Sequence, residues 1–145
     1  MRVIDLCIRN VATAPASAPV ATLAKTMRAK HVGSIVVTGE GKPVGIVTDR
    51  DIVMEVVAMG LDPAGLTAGD IMTTSPAVAQ AGDDALWALK VMRDRGVRRL
   101  PVVGQDGGLA GIIAFDDLMA HVGTTLGDIA QMIGTERCVE SCRRA

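Results

Sequence analysis

Thr48 and Asp51 have the residue types and the spacing of a small-ligand contact. They close the segment Gly45 to Asp51, in which a β-rich run leads into a helical pattern, so we place Thr48 at a strand end and Asp51 in a first helical turn. The free N–H groups of a helix N-terminus favour a phosphate, to which the Thr48 hydroxyl can donate, and the Asp51 carboxylate can accept from both hydroxyls of a ribose. The pattern Thr-x-x-Asp is also typical of a capping box, which needs no ligand.

The chain repeats itself. Asp5-Leu6-Cys7 aligns with Asp70-Ile71-Met72 at an offset of 65 residues, and after one added residue Gly45-Ile46-Val47 aligns with Gly111-Ile112-Ile113 at an offset of 66. Two copies together fill residues 3–123. A unit of this size buries too little surface to be stable alone, so we expect the copies to pack together about a pseudo-twofold axis.

Each copy has the pattern helix, strand, strand, helix. In the first copy the apolar residues from Val20 to Met27 recur at the spacing of one helical face, and two β-rich runs joined by a Gly-containing turn follow. The predicted fold class is therefore α/β (α+β), with a small sheet and two helices in each repeat and a C-terminal helix. The predicted boundaries are repeat 1 at 3–60, a Gly- and Pro-containing linker at 61–69, repeat 2 at 70–123 and a helical tail at 124–145.

The last helix of repeat 2 is expected over residues 116–122, and the tail is expected to form a separate helix. Ile129, Met132 and Ile133 suit one face of that tail helix. We expect this apolar face to dock on the repeats or on a second subunit.

The two copies differ in their ligand-binding segments. Asp117 stands where Asp51 stands in the first copy, but Ala114 replaces Thr48. The second segment keeps the ribose acceptor and loses its hydroxyl partner. We therefore expect two unequal sites, of which the one around Asp117 is weak, empty or adapted to another ligand.

The order of the repeated motifs is more specific than any one of them. Two Asp-Ile-Met-like openings, two helices ending in Met-Arg, the run Arg98 to Val103 and two Gly-hydrophobic-x-Thr-x-x-Asp-like segments occur at one spacing. Together they resemble a tandem pair of cystathionine-β-synthase (CBS) domains over about four fifths of the chain. The resemblance implies a sandwich with two clefts between the repeats, which often bind adenosine-containing ligands, and a disc-like homodimer.

The resemblance also implies that an arginine of the run Arg98 to Val103 reaches ligand phosphates in the central cleft, where a guanidinium can bind bidentately. Arg98 and Arg99 are adjacent, and adjacent strand residues point to opposite faces, so we expect one of them to be the functional arm. The alternative is a solvated surface pair. Pro101 cannot donate to a sheet ladder, so we expect an edge strand or a first strand residue there, leaving backbone free for an adenine edge.

Further contacts are implied in the first repeat. In similar proteins the region of Thr13 contacts the base or the phosphate. Val11, Ile35 and Val47 are expected to line the adenine pocket, although a plain core position is an equally good interpretation of all three.

Composition excludes several classes of protein. The net charge of −1 provides no basic field to attract nucleic acid. With one Trp, one Phe and no Tyr, the chain also lacks the aromatic platforms on which single-stranded bases stack. The apolar runs are too short for a membrane span and no secretory signal is evident, so we expect a cytoplasmic protein. Three cysteines, Cys7, Cys138 and Cys142, are expected to be reduced; a shared metal or redox site is a thin alternative, because Cys7 aligns with an apolar core position.

Three classes of function are compared. The first is a homodimeric sensor without a required cofactor that binds AMP, ATP, NAD(H) or S-adenosylmethionine and signals to an unknown protein partner in trans. The second is a homodimerisation scaffold with vestigial clefts, for which Ala114 is mild evidence. The third, an enzyme, is disfavoured because the sequence contains no catalytic triad, metal quartet or phosphate loop of the Gly-x-x-x-x-Gly-Lys type.

Overall fold

A computed structural model describes the backbone of residues 1–143 and the side chains of residues 1–136 and 142. In this part of the chain the elements form a mixed α and β fold with two small sheets, as predicted. The helices are α1 Val3–Leu6, α2 Val20–Lys30, α3 Asp49–Ile52, which continues as a π-helical stretch Val53–Val57, α4 Ala68–Ile71, α5 Ala85–Arg95 and α6 Phe115–Arg143. The strands are β1 Thr13–Ala14, β2 Ser34–Gly39, β3 Lys42–Thr48, β4 Thr73–Thr74, β5 Ala79–Gln80, β6 Arg99–Val103 and β7 Leu109–Ala114.

The two sheets repeat one topology. The first has the order β1-β2-β3-β4 and the second the order β5-β6-β7. In each, a two-residue strand pairs in parallel with the first strand of an antiparallel hairpin. Ser34 pairs with Thr48, and Arg99 pairs with Ala114, so the added residue of the second copy lies in its hairpin turn.

The pseudo-twofold arrangement exchanges short segments between the repeats. Val3 of α1 lies in the core of the second repeat, and Ala68 of α4 lies in the core of the first. Residues Gly45 and Ile46 of β3 pair with β4, and Ile8 forms an isolated bridge with Ile112 of β7. Each repeat is thus completed by the segment that opens the other copy, which holds the two repeats together.

Two equivalent glycines allow this exchange. A Cβ atom at Gly111 would lie 2.6 Å from Cys7 Sγ and 3.0 Å from the Ile8 carbonyl oxygen, and a Cβ atom at Gly45 would overlap the Met72 side chain. The glycine of the Gly-hydrophobic-x-Thr pattern is therefore a packing residue. Cys7 has the same role as Met72, the apolar position with which it aligns.

The sequence predicts an edge strand or a first strand residue at Pro101, and this prediction is wrong. It is the third residue of β6, which is the central strand of its sheet, and it is fully buried. Strand β5 begins only at Ala79, opposite Val102, one position beyond Pro101. The N–H that Pro101 lacks therefore lies beside a position before β5 begins, and for this reason the central strand tolerates the proline.

The tail does not form a separate helix. Helix α6 runs without interruption from Phe115 to Arg143, through the expected boundary at residue 123. Leu126, Ile129 and Ile133 on this helix are 61%, 48% and 44% exposed. They are therefore not docked on the repeats of their own chain, which removes one of the two expected positions for this face.

Candidate functional site

A cleft of about 600 Å³ lies between the two repeats. The first repeat contributes the end of β3 and the start of α3, and the second contributes the segment before β6 and the start of α6. Four of the residues predicted from the sequence line it: Thr48, Asp51, Arg98 and Arg99. The other lining residues are Ile46, Asp49, Arg50, Thr73, Pro76, Ala77, Gly96, Val97 and Asp116.

Thr48 and Asp51 form a capping box at the cleft wall. Asp51 Oδ2 accepts from the Thr48 backbone N–H at 2.7 Å and from its hydroxyl at 2.8 Å, and the Asp51 N–H donates to Thr48 Oγ1 at 3.2 Å. The structural interpretation of the pair is thus confirmed. All protein contacts of the carboxylate involve Oδ2, and Oδ1 accepts no hydrogen bond from the side chains and backbone described, so one oxygen stays available to a ligand.

A second capping box with the same geometry lies outside the cleft. Asp70 Oδ2 accepts from the Thr67 N–H at 2.7 Å and from the Thr67 hydroxyl at 2.7 Å, at the start of α4. These hydrogen bonds lower the pKa of Asp70 below its usual value. The Thr67–Asp70 pair is an internal reference for what a capping box does without a ligand site.

Arg98 is held at the cleft wall by two neighbours. Its Nη2 donates to Asp116 Oδ1 at 2.9 Å, and its guanidinium carbon lies 5.6 Å from the centre of the Phe115 ring. The side chains of Arg98 and Asp116 are 71% and 70% exposed, so this ion pair is solvated and weak. A phosphate can therefore compete with Asp116 for Arg98.

Arg99 crosses to the first repeat. A Cβ atom at Gly33 would lie 3.2 Å from Arg99 Nη2 and 3.0 Å from Asp49 Oδ2, so a larger residue there would make the ends of these side chains shift by a few tenths of an ångström. Strand alternation predicts that Arg98 and Arg99 point to opposite faces and that only one of them reaches the cleft, and this prediction is wrong, because Arg98 precedes the first residue of β6. Both arginines line one cleft.

The remaining predicted contacts lie elsewhere. Ile35 and Val47 are less than 2% exposed and belong to the core of the first repeat, so the core interpretation holds for them. Pro101 is also less than 2% exposed and does not line the cleft, so the prediction that it leaves backbone for an adenine edge stays a prediction. Thr13 is exposed on β1 and does not line the cleft. Val11 is half-buried and does not line it either.

Asp117 does not line this cleft. Its Oδ2 accepts from the Ala114 N–H at 2.8 Å, which keeps half of a capping box without the threonine. It lies near Cys7 and Arg9, on the part of the second repeat that the N-terminal segment covers.

The cysteines form no metal site in the part of the chain that the structure describes. Burial raises the pKa of the Cys7 thiol, so the reactive thiolate is disfavoured there. Cys142 is exposed, and the side chain of Cys138 lies outside the described residues. Among the described side chains, no three His, Cys, Asp or Glu residues are placed to hold a metal ion.

A second concavity of about 940 Å³ adjoins the cleft. It is an apolar groove beside α5, lined by residues that include Leu86, Leu89, Met92 and Phe115. Gly96, Val97 and Arg98 line both the groove and the cleft. Arg98 thus stands between the charged cleft and the apolar groove.

Comparison with known proteins agrees with this architecture. The family model for the CBS domain matches twice, over residues 3–58 and 68–124. The chain belongs to the CBS-domain family. Both matches carry the capping-box segments, with Thr48 and Asp51 in the first CBS domain and Ala114 and Asp117 in the second.

Relatives of this CBS pair come from archaea, bacteria and a plant. An uncharacterised protein of Methanopyrus kandleri is 36% identical over 116 residues, which are 79% of this chain and 59% of that protein. Hypoxic response protein 1 of Mycobacterium tuberculosis is 35% identical over 100 residues, 68% of this chain and 69% of that protein. The CBS pair thus spans less than two thirds of the M. kandleri relative and less than a fifth of two Arabidopsis thaliana CBS proteins that it matches.

Two solved structures bear on ligands. A CBS domain protein of Pyrobaculum aerophilum, complexed with AMP, has a TM-score of 0.76 at 26% identity and covers 86% of this chain and 99% of that one. The hypoxic response protein, crystallised with two coordinated zinc ions, has a TM-score of 0.75 at 30% identity and covers 83% and 98%. No described helix of the CBS pair is both long enough and apolar enough to cross a bilayer.

Sequence reasoning missed several cleft residues. Asp49 and Asp116 have no motif of their own; the Asp49 backbone N–H donates to the Gly33 carbonyl oxygen at 3.1 Å, and Arg99 reaches this point from the other repeat. Asp116 had one available signal: it aligns with Arg50 in the repeat, next to the conspicuous Asp51 and Asp117. A charge reversal beside a repeated acid marks a position where the two copies have diverged.

Proposed function

We propose that this CBS pair is a regulatory, non-catalytic module that binds an adenosine-containing ligand in the cleft around Thr48 and Asp51. The observation that carries the proposal is the cleft itself, in which the Asp51 carboxylate and the Thr48 hydroxyl of the first repeat face two arginines, Arg98 and Arg99, of the second repeat. The ligand candidates are AMP, ATP, NAD(H) and S-adenosylmethionine. The AMP complex of the P. aerophilum relative supports this ligand class.

The roles of the residues follow from the geometry. Asp51 Oδ1 accepts from a ribose hydroxyl, while Oδ2 keeps the start of α3 in place. Thr48 lies at the same helix start and donates to the ligand or to Asp51. Arg99, which is half-buried beside Asp49, and Arg98, which is exposed, supply donors for a phosphate.

The second site, around Asp117, is weaker in this proposal. The Ala114 position provides a backbone N–H but no hydroxyl. The position of Arg98 is occupied in the first repeat by Gly33, and that of Arg99 by Ser34, so the pseudo-twofold equivalent of the cleft has no arginine at either position. We propose one ligand per chain.

Ligand binding is transmitted, in this proposal, to a partner protein in trans. A ligand in the cleft contacts both repeats, so its binding free energy depends on how the repeats are packed, and this dependence is what a regulatory ligand requires. Arg98 borders both the cleft and the apolar groove, so a ligand in the cleft lies at the edge of that groove.

We also propose that the chain is a homodimer. Five apolar residues of α6, each at least 40% exposed, alternate at spacings of three and four residues, the pattern of a helix-pairing seam: Met119, Val122, Leu126, Ile129 and Ile133. The neighbouring positions Gly123, Thr125, Ala130 and Met132 carry no charge. Two copies can therefore meet along this stripe without like-charge repulsion.

The same stripe favours a second candidate function, a homodimerisation scaffold with vestigial clefts. The two candidates differ in whether a ligand stabilises the folded protein. Thermal unfolding is measured with AMP, ADP, ATP, NAD, NADH and S-adenosylmethionine at millimolar concentration, for the parent, Asp51→Ala and Asp70→Ala.

Both variants lose one capping box, but only Asp51→Ala loses a cleft residue. The sensor predicts that at least one ligand raises the midpoint of the parent and of Asp70→Ala, and not of Asp51→Ala. If copurified ligand is excluded and no compound raises the midpoint of the parent, the scaffold is the function.

A further inference from the structure

The formal charges of the residues that line the cleft sum to zero. Three carboxylates and three guanidinium groups line it, namely Asp49, Asp51, Asp116, Arg50, Arg98 and Arg99. A nucleoside triphosphate brings about two more negative charges than a monophosphate and needs cationic side chains to match them. The arginines of the cleft attract these phosphate charges, but the carboxylates within the same 600 Å³ space repel them.

Asp116 is the carboxylate whose function is not explained by the fold. Asp51 caps α3, and Asp49 Oδ1 accepts from the Arg50 N–H at 2.8 Å at the start of the same helix. Asp116, by contrast, is 70% exposed, and its described contact is the ion pair with Arg98 across the wall of the cleft. It both neutralises one of the phosphate donors and adds a negative charge at the cleft mouth.

The two repeats show that this charge is not required by the position. The equivalent residue in the first repeat is Arg50, and it lines the same cleft. Both are second residues of a helix, α3 or α6, so either charge is compatible with the local fold. An arginine at position 116 would give the cleft four arginines against two carboxylates.

We infer that Asp116 sets the charge preference of the cleft, disfavouring polyphosphates and favouring adenosine ligands that carry one phosphate or none. The inference rests on the proposed function, because it names the ligand class of the same cleft. A monophosphate is served by Arg99 while the Arg98–Asp116 pair stays closed. A triphosphate must open that pair and then lies beside the released Asp116 carboxylate.

The test replaces Asp116 by its uncharged isostere. Asp116→Asn keeps the shape of the side chain and removes its negative charge. Asp94→Asn is the matched control, because Asp94 forms an exposed ion pair with Arg93, 2.9 Å between Oδ1 and Nη2, and neither residue lines the cleft. Both variants change the net charge by the same amount. AMP, ATP and S-adenosylmethionine are titrated calorimetrically into the parent and into both variants at one fixed, moderate salt concentration.

The parent is expected to bind AMP or S-adenosylmethionine more tightly than ATP. In Asp116→Asn the affinity for ATP relative to the other two is expected to rise by about threefold to tenfold, as one charge removed near two further phosphate charges predicts. Asp94→Asn is expected to leave that ratio unchanged. A parent that prefers ATP, or an unchanged ratio in Asp116→Asn, overturns the inference alone. A parent that binds none of the three compounds overturns the inference and counts against the proposed function.

Discussion

Arg50 and Asp116 are the second residues of α3 and α6, occupy equivalent positions in the two repeats and line one cleft with opposite charges. The pseudo-twofold axis therefore relates the backbones of the two repeats but not their electrostatics. Thr48 and Ala114 differ in the same way at the preceding N-cap. A ligand in the cleft meets a different set of groups from each repeat, which accounts for the proposed preference for one site over its equivalent.

Adding a methyl group at Gly111 is expected to destabilise the fold. In Gly111→Ala the new Cβ atom would lie 2.6 Å from Cys7 Sγ and 3.0 Å from a backbone oxygen, so the N-terminal segment must shift, at a cost of about 1–3 kcal/mol. Gly127→Ala is the control, because a Cβ atom there meets open space in α6, where alanine favours the helix by roughly 0.5–1 kcal/mol. Urea unfolding of the two variants measures both values, and equal stability of the two would contradict the packing described for Gly111.

Charges on the α6 stripe are expected to dissociate the dimer. Leu126 and Ile129 are 61% and 48% exposed in one chain, and covering the exposed part of each by a second copy contributes about 1 kcal/mol. The double variant Leu126→Asp with Ile129→Asp is therefore expected to sediment as a monomer, while Gln131→Asp, off the stripe on the same helix, leaves the dimer intact. A parent that sediments as a monomer, or a double variant that stays dimeric, would show that the stripe does not pair two copies.

Acid is expected to destabilise the fold below about pH 4. The hydrogen bonds to the Thr67 and Leu86 backbone N–H groups lower the pKa of Asp70 and Asp84 from the usual 3.8. Because the folded-state pKa is depressed, these carboxylates stabilise the fold above the unfolded-state value, and this stabilisation is lost as pH falls through the folded-state pKa.

The measurement is urea unfolding at pH 7 and pH 3. The parent is expected to lose stability at the lower pH, and Asp70→Asn is expected to lose less, since its side chain no longer titrates. Asp128→Asn, on the exposed part of α6, is the control and should follow the parent. An Asp70→Asn variant with the full acid sensitivity of the parent would argue against this origin of the pH dependence.

Much of the fold could be predicted because its signals are local and repeated. The hairpin of β2 and β3 follows from β-rich runs on either side of a glycine turn, and its offset in the second copy locates the added residue in the second turn. The exchange of Val3 and Ala68 between the two cores could not be predicted, because a four-residue helix has no periodicity that identifies its partner.

The site divides in the same way. Thr48 and Asp51 could be found because their pattern is contiguous, and the same contiguity left the capping box open as an alternative, which the structure bears out. The direction of the Arg98 side chain was harder to predict, because β6 begins only at the next residue, Arg99, and strand alternation does not include Arg98. The approach of Arg99 to Gly33 of the other repeat, next to Asp49, is a tertiary contact without a sequence pattern.

The central claim is that the cleft of Thr48 and Asp51 binds one adenosine ligand per chain. Calorimetric titration of the ligand that most raises the thermal midpoint, into the parent, Asp51→Ala and Asp70→Ala, tests it most directly. Saturable binding with a stoichiometry near one per chain is expected in the parent and in Asp70→Ala, and no measurable binding is expected in Asp51→Ala. Two equivalent sites per chain, or undiminished binding in a folded Asp51→Ala protein, would contradict it.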